Sequence, residues 1–221
     1  MSAQGRGLRT IKVSGDGNLT DALHSAVAGD AVGFAALWRS LQPDILRYLR
    51  VVVGHAAEDV ASETWLQAAR DLNRFEGDFS AFRVWLFRIA RHRGIDERRR
   101  ALRRKEEPAD FSGEEIGDPQ VRDVALEVLE DADTAWALAV IASLPPDQAE
   151  AVMLRVVAGL SVAATAEVLD KQPGAVRVAT MRGLRRLAAH PQVQERNGNV
   201  KPDGLSDTSA SPARSDGEYR G

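Results

Sequence analysis

The chain has 221 residues, a mass of 24.0 kDa and a formal net charge of -3, which suits one ordinary domain or two small ones. It has no cysteine, so a disulfide framework, thiol catalysis and a zinc-thiolate finger are excluded. No apolar run approaches the roughly eighteen residues of a membrane span, and the first residues lack the apolar segment of a signal peptide. We therefore expect a cytoplasmic protein without membrane insertion.

The first part of the chain predicts short helices after an unstructured start. Residues 1–18 are rich in glycine and polar side chains without any period, which predicts a disordered arm. Thr20 is predicted to cap a short helix, and Asp30 is predicted to cap the next one. Pro43 fits the first turn of a third helix, which Gly54 is expected to end.

The most distinctive stretch is cationic and helical. A further helix is predicted from Glu58 and Asp59, and a loop follows it at residues 73–79. Residues 79–105 then combine an apolar stripe at helical spacing with ten cations against two anions, and nine of these cations are arginine. Because the guanidinium fork pairs with phosphate oxygens and stacks on bases, a polyanion is the first partner to consider. A solvated helix face is the plainer alternative.

An acidic segment separates two predicted domains. Residues 106–133 carry eleven acidic side chains against one arginine, and prolines and glycines interrupt the first part of this segment. We interpret it as an extended, flexible linker between a domain at residues 19–105 and a domain at residues 134–190. A simple spacer without a function of its own is the alternative.

The second domain is also predicted to be helical. A start signal at residues 144–147 precedes Glu150, which is predicted to complete a capping box. Gly159 ends that helix, Ser161 caps a short one, and a last helix runs over about residues 174–189. This order of helices and turns is typical of a helix-turn-helix unit.

The last helix separates apolar from basic side chains. Its inward face is predicted to hold Val176, Thr180, Leu184 and Leu187, with arginines on another face. This is the pattern of a recognition helix for a DNA major groove, and a plain basic three-helix bundle is the alternative. Residues 191–221 are predicted to be a disordered tail.

Sequence signatures of catalysis are absent. The four histidines have no second ligand at metal spacing, and there is neither a phosphate-binding glycine loop nor a nucleophile motif. We therefore expect no metal, no cofactor and no enzymatic activity.

Three strings resemble one family when they are taken together. EDVASETWLQA, FRVWLFRIARHRGIDERRR and LPPDQAEAVMLRVVAGLSVAATAEVLDKQPGAVRVATMRGLRRL are similar, in this order, to regions 2.2, 2.3 to 2.4, and 4 of extracytoplasmic-function sigma factors of bacterial RNA polymerase. The likeness covers about residues 20–190. It implies an all-α fold of two small helical domains, a region 2 bundle and a region 4 helix-turn-helix, joined by the acidic linker. It also implies an alternative sigma factor that binds core RNA polymerase and directs promoter recognition, DNA melting and transcription initiation.

The resemblance also implies roles for individual residues. The helix that docks on the clamp of the largest polymerase subunit corresponds to Asp59, Ser62, Glu63 and Trp65. The loop that accepts a flipped base of the minus-ten element, with the arginines beside it, corresponds to Asn73, Arg74, Phe75, Phe79, Ser80, Arg83, Arg91, Arg98 and Arg99. The contacts to the minus-thirty-five element correspond to Lys171, Gln172, Ala175, Arg177, Val178, Arg182 and Arg185. Further implied partners are the flap of the second-largest subunit and an anti-sigma factor.

The sequence departs from the family pattern at three positions. Ser62 stands where the family commonly has glutamine, Asp170 where it has glycine, and Lys171 where it more often has an apolar residue. Two other functions are compatible with the residues. A stand-alone helix-turn-helix regulator would dimerise and bind an operator without polymerase, and an all-helical adaptor would bind acidic proteins through its arginines.

Overall fold

The computed structural model describes residues 16–106 and 132–198, and the regular structure in both ranges is helical. We call residues 16–106 the first unit and residues 132–198 the second unit. The first unit comprises α1 (Asp16–Val27), α2 (Ala31–Val53), α3 (Ala57–Asp71) and α4 (Phe79–Glu106), with 3-10 turns at Gly54–Ala56 and Leu72–Arg74. The second comprises α5 (Ala132–Ala142), α6 (Pro146–Val152) continued by a π-helix (Met153–Val157), α7 (Val162–Leu169), α8 (Pro173–Ala188) and α9 (Pro191–Gly198). The predicted all-α fold class is confirmed.

The flanking and connecting segments lie mostly outside the described residues. The predicted arm at residues 1–18 is described only from residue 16, where α1 begins. The predicted linker at residues 106–133 is described only at its two ends. Thr20 lies inside α1, so the prediction that it caps this helix is wrong.

Helix α2 is a single helix of 23 residues rather than two. Asp30 caps it as predicted, because its carboxylate accepts hydrogen bonds from the backbone N–H groups of Val32 at 3.0 Å and Gly33 at 3.1 Å. The prediction that Pro43 begins a new helix is wrong, since the helix continues through it. One buried stripe runs on both sides of the proline, and its burial outweighs the backbone hydrogen bond that proline cannot donate. Gly54 ends the helix as predicted.

Two glycines allow close helix crossings. A Cβ atom on Gly33 of α2 would lie 2.6 Å from the carbonyl oxygen of Ala22 in α1. A Cβ atom on Gly183 of α8 would lie 2.7 Å from a methyl carbon of Val152 in α6. A larger side chain at either position would push the two helices apart, so these residues fix how closely α1 packs on α2 and α6 on α8.

The two units share one hydrophobic core. Helices α5, α6 and α7 pack against α2 and α4, and most of the buried apolar side chains of both units form one connected cluster, beside a small second cluster of Leu144, Ala149 and Val152. Leu154 and Met153 of the second unit belong to the same cluster as Phe87 and Tyr48 of the first. The sequence predicted two helical bodies, but nothing in its periodicity predicted that they pack against each other.

The helix-turn-helix is formed by α7 and α8. Ser161 caps α7 as predicted, accepting a hydrogen bond from the backbone N–H of Ala164 at 3.1 Å. The turn after α7 places Asp170 in the left-handed conformation, with φ 53° and ψ 50°, and its backbone N–H bonds the carbonyl oxygens of Ala166 and Glu167. The aspartate therefore holds a left-handed turn that glycine adopts without a steric penalty, at some conformational strain.

The inward face of α8 differs from the prediction at one position. Val176 and Gly183 are buried and Thr180 and Leu187 are partly buried, but Leu184 is 44% exposed. Positions 183 and 184 both fit the helical period. Helix α6 approaches α8 so closely that only glycine fits at the contact. Gly183 therefore faces the core, and Leu184 is directed away from it.

Helix α9 occupies the start of the predicted tail. Residues Pro191–Gly198 are helical, so the prediction of disorder from residue 191 is wrong for this part, and the rest of the tail lies outside the described residues. Arg196 of α9 binds the carboxylate of Asp133 and lies 4.5 Å from the ring centroid of Trp136 in α5. The helix escaped prediction because it is short and polar, with Val193 as its main apolar residue.

The left-handed turn gives a stability prediction. We expect Asp170→Gly to raise the free energy of unfolding by about 0.5 to 1 kcal/mol, because glycine adopts positive φ without a steric penalty. Gly159→Ala is the matched opposite, since Gly159 has φ 65° and open space around its Cα, and it should lower stability by about 1 kcal/mol. Chemical denaturation of both variants measures this. Equal stability of Asp170→Gly and the parent protein would contradict it.

Candidate nucleic-acid interface

Helix α4 organises the cationic surface. Asp78 caps it by accepting a hydrogen bond from the backbone N–H of Ala81 at 2.8 Å, and the helix then runs for 28 residues. Phe82, Leu86 and Phe87 are fully buried, which fixes the rotation of the helix about its axis. The arginines therefore occupy its remaining faces.

The second half of α4 presents arginines to solvent. Arg98 and Arg99 are exposed, and the carboxylate of Asp96 lies 3.8 Å from a guanidinium nitrogen of Arg99. Glu97 is held by Arg104 at 2.6 Å and Arg100 at 3.5 Å. The hydrogen bond from Arg104 is the main reason that the pKa of Glu97 lies below its ordinary value. Since two carboxylates face several guanidinium groups, this part of the helix keeps an excess of positive charge that can bind phosphates.

A cavity with aromatic and charged walls lies beside the loop between α3 and α4. The ring of Phe75 is 5.5 Å from that of Phe82 and 5.3 Å from that of Trp85, between centroids. The cavity has a volume of about 420 Å³, and its walls combine two aromatic rings with two guanidinium groups and three carboxylates: Phe75, Trp85, Arg74, Arg88, Asp71, Glu76 and, from α7, Glu167. Ring faces and guanidinium groups are the surfaces on which bases stack.

The residues expected to contact minus-ten DNA are not all available in this arrangement. Phe75 is partly buried, and Phe79 is only 8% exposed because its ring belongs to the core. Arg83 and Arg91 are turned toward the second unit. Trp85 lies in the cavity wall, although the sequence analysis did not assign it to DNA contact. Its helical spacing from Phe82 was the feature of the sequence that could have indicated this position. The remaining members of the set are exposed at Asn73, Arg74, Ser80, Arg98 and Arg99.

Helix α3 carries the residues expected to dock on polymerase. Asp59 and Ser62 are exposed, whereas Trp65 is 5% exposed and donates its indole N–H to Gln42 at 2.5 Å. Trp65 therefore supports the helix from within, and its ring is not available to a partner. The apolar period of the helix predicts that Leu66 faces inward, and this prediction is wrong, since Leu66 is 57% exposed.

Glu63 is tied to the cationic helix. Its carboxylate lies 3.8 Å from Arg93 and 3.9 Å from Arg100, and Arg93 also donates to the side chain of Gln67 at 3.0 Å. These bonds link α3 to α4 across the first unit. A surface that binds one partner through α3 is thus held at a fixed angle to the arginines of α4.

Helix α8 presents the set expected to contact the minus-thirty-five element. Ala175, Val178, Arg182 and Arg185 are exposed at spacings of three, four and three, which places them on one face. Lys171 is partly buried, and its ammonium lies 2.8 Å from the carboxylate of Asp147, so it also ties the turn to α6. Gln172 and Arg177 are exposed near the N-terminus of the helix.

Glu150 occupies a buried polar site between the units. It is 8% exposed and accepts hydrogen bonds from the hydroxyl of Tyr48 at 3.3 Å and the Nε of Arg91 at 2.8 Å. The predicted capping box is therefore wrong, since α6 has no side-chain cap. Burial, and then the charge of Glu150, raise the pKa of Tyr48 well above its ordinary value.

Neither a metal centre nor a membrane span competes with this cationic surface in the described part of the chain. Within residues 16–106 and 132–198, no three His, Asp or Glu side chains converge to hold a metal ion. In the same ranges no helix combines the length and the apolar character needed to span a bilayer.

Comparisons with known proteins match both units. Residues 37–104 match the model of Sigma-70 region 2, and residues 134–187 match the model of Sigma-70, region 4. The chain is 35% identical over 178 residues to the ECF RNA polymerase sigma factor ShbA of Streptomyces griseus, covering 76% of this chain and 92% of that protein. It is 35% identical over 170 residues to the ECF RNA polymerase sigma factor SigD of Mycobacterium tuberculosis, covering 73% and 78% respectively.

A solved structure matches the fold at low identity. The sigma factor RpoE of Bartonella quintana, in complex with the anti-sigma factor NepR, gives a TM-score of 0.50 at 19% identity. The match covers 69% of this chain and 94% of that one.

The buried phenol gives a pH prediction. Because the folded protein raises the pKa of Tyr48, the neutral phenol stabilises the fold fully at pH values below the ordinary tyrosine pKa of about 10, and this contribution is lost as the pH rises further. Tyr219 is the other tyrosine, so a Tyr219→Phe variant reports Tyr48 alone. We expect its phenolate absorbance to appear with a midpoint above about 10, and the same variant in denaturant to titrate normally. A midpoint at or below the denatured value would contradict the prediction.

Proposed function

Because the chain belongs to the sigma-70 family, as an alternative sigma factor of the extracytoplasmic-function group that acts in transcription initiation, we propose that α3 holds core polymerase while α4 and α8 hold the two promoter elements. The first unit is then the region 2 domain and the second unit the region 4 domain. The observation that carries the proposal is the arrangement of two exposed arginine faces, on α4 and α8, with no competing acidic face on either helix.

Helix α8 is proposed to enter the major groove at the minus-thirty-five element. Arg177 is exposed one turn from the N-terminus, where recognition helices reach base edges. An arginine that donates to both acceptors of a guanine discriminates by about 1 to 3 kcal/mol. Arg182 and Arg185 lie further along the helix, where contacts to phosphates add affinity without reading sequence.

The cavity beside Phe75 and Trp85 is proposed to receive an unpaired base of the minus-ten element. Extruding a base costs a few kcal/mol, and stacking on an aromatic or guanidinium plane returns about 1 to 3 kcal/mol. The volume of about 420 Å³ is ample for one base. The cost of extruding the base and the gain from stacking it nearly cancel. DNA melting then depends on whether the cavity binds the extruded base.

Helix α3 is proposed to dock on the clamp of the largest polymerase subunit. Asp59, Ser62 and Glu63 supply the polar contacts, and the exposed Leu66 adds an apolar contact on the same helix. Contact of the second unit with the flap of the second-largest subunit completes the proposed holoenzyme.

The proposed role contains no covalent chemistry in this chain, because the polymerase catalyses RNA synthesis and the sigma factor selects the promoter at which it starts. An anti-sigma factor is proposed as a further partner. The Bartonella quintana protein of similar fold was solved with such a partner, which supports this assignment.

In vitro transcription tests the proposed function. Purified protein is added to core polymerase on a library of genomic fragments, and the start sites are sequenced. We expect start sites that share an upstream pair of elements. A protein that fails to bind core polymerase and leaves start sites unchanged would overturn the proposal, and operator binding as a dimer would favour the stand-alone regulator.

The recognition helix gives a specificity prediction. We expect Arg177→Ala to reduce transcription about tenfold or more at a promoter with the native minus-thirty-five element, because alanine cannot make the bidentate hydrogen bonds to a base. On a scrambled element the reduction should be small. Arg39→Ala, which removes the same charge from an exposed position of α2, is the control and should behave like the parent on both templates. An equal reduction on both templates would exclude base recognition by Arg177.

The exposed half of α4 gives a salt prediction. If Arg98 and Arg99 bind phosphates, replacing both with alanine makes the slope of log affinity against log salt less steep, by about 0.9 for each duplex phosphate that is no longer neutralised. Filter binding of promoter DNA by the holoenzyme, at several salt concentrations, measures the slope. An unchanged slope would show that Arg98 and Arg99 do not bind phosphates.

A further inference from the structure

The outward face of α8 carries exposed apolar side chains as well as arginines. Val178 is 41% exposed, and Met181 and Leu184 are each 44% exposed. Large apolar side chains that are exposed close together on one helix are typical of a surface that a partner covers. The DNA contacts proposed above for the arginines of α8 leave Met181 and Leu184 without a role.

Met181 lies at the centre of this outward face. Residues three and four positions apart are neighbours on a helix. At those positions Met181 has two exposed arginines and two exposed apolar side chains: Arg177, Val178, Leu184 and Arg185. Gly183, on which α6 packs, is two positions further on and therefore about 200° around the helix. Met181 thus points away from the core, into the surface proposed to meet DNA.

The thioether of Met181 is open to oxidants. The part of the chain that the structure describes contains two methionines, and the other one, Met153, is only 1% exposed. The chain has no cysteine, so no thiol of this protein competes for an oxidant. Thioethers react with hydrogen peroxide to give the sulfoxide. The sulfur lone pair attacks one peroxide oxygen, the S–O bond forms as the O–O bond breaks, and the second oxygen leaves with both hydrogens as water. The sulfur loses two electrons, and the peroxide gains them.

We propose that Met181 is an oxidation site through which a peroxide weakens binding of the minus-thirty-five element. The inference rests on the proposed function for the contact between α8 and DNA. Oxidation turns a flexible apolar side chain into a polar one at the middle of that contact.

The sulfoxide fits the major groove poorly. The apolar groups that the groove offers to a thioether are the methyl groups of thymine, and these cannot hydrogen-bond a sulfoxide oxygen. A polar oxygen that is buried there without a donor loses its bonds to water. Arg177 and Arg185 are donors next to Met181, but a bond from either one to the sulfoxide takes that guanidinium away from DNA. Both outcomes weaken binding.

Peroxide treatment before assembly with polymerase tests the proposal. The full chain is treated with hydrogen peroxide, catalase removes the excess, and untreated core polymerase is added, so that only this chain is oxidised. Mass spectrometry of peptides measures the added oxygen at each methionine. We expect Met181 to be oxidised well before Met153. Transcription from a promoter with the native minus-thirty-five element should then fall about tenfold, and a promoter with a scrambled element should respond little.

Three variants assign the effect to this thioether. Met181→Leu keeps an apolar side chain of similar size without sulfur, so peroxide should not change its transcription. Adding Val32→Met to that variant places a thioether on a 72% exposed position of α2, and its oxidation should also leave transcription unchanged. Met181→Gln supplies a polar side chain without an oxidant and should lower transcription from the native element. A methionine sulfoxide reductase should restore the oxidised parent protein.

Several results would overturn the proposal. Met181 would be oxidised no faster than Met153, or its complete oxidation would leave transcription at the untreated level. An equal loss in peroxide-treated Met181→Leu would assign the effect to another residue. If peroxide lowers the helical circular dichroism of the protein, Met181→Gln decides, and parental transcription by that variant would contradict the inference.

The proposed function and this inference fail in different ways. Absence of promoter-dependent transcription by the untreated protein would overturn the proposed function, and this inference with it. Transcription by the untreated protein that oxidation of Met181 leaves unchanged would overturn the inference alone.

Discussion

A carboxylate buried between the two units is the interaction on which this arrangement depends. An ionised side chain that leaves water loses several kcal/mol of solvation, and the loss is offset only where a countercharge and hydrogen bonds meet it. Arg91 and Tyr48 supply both to Glu150, from two different helices of the other unit. If Arg91 binds another anion, Glu150 is left buried and unpaired. An anion that takes Arg91 away therefore destabilises the contact between the units.

Helix α4 presents some of its arginines to the second unit and others to solvent. Its apolar residues, including Phe82 and Leu86, fix its rotation against the first unit, and its 28 residues extend well beyond that core. The arginines near its start face the second unit, whereas Arg98 and Arg99 face solvent. In this arrangement Arg98 and Arg99 are thus available to an anion, while Arg83 and Arg91 are engaged within the chain.

The features that sequence predicted are those set within one turn or along one helix. The caps at Asp30 and Ser161 and the helix ends at Gly54 and Gly159 depend on neighbours a few residues away, and the structure has them. The wrong predictions concern features that depend on contacts with distant parts of the chain. The continuation of α2 through Pro43 depends on burial against α1, α3 and α4, which outweighs a local helix-breaking preference.

Glu150 shows why the site was harder to predict than the fold. Its position after a proline turn fits a capping box, whose partner would be within the same helix. Its actual partners, Arg91 and Tyr48, are 59 and 102 residues away. Charge patterns along the chain identified the arginines of α4 as anion ligands, but could not distinguish a phosphate from a carboxylate of the same chain, because both bind the guanidinium group alike.

The proposed surfaces differ in how accessible they are in this arrangement. Asp59, Ser62 and Leu66 on α3 are exposed while the units are packed, so a partner can reach them without any rearrangement. Arg83 and Arg91 of α4 are instead engaged by the second unit. A ligand shifts a two-state equilibrium only by its preference for one state, and binding at α3 alone has no such preference. A partner that binds Arg83 or Arg91 must therefore supply contacts that offset those made by the second unit.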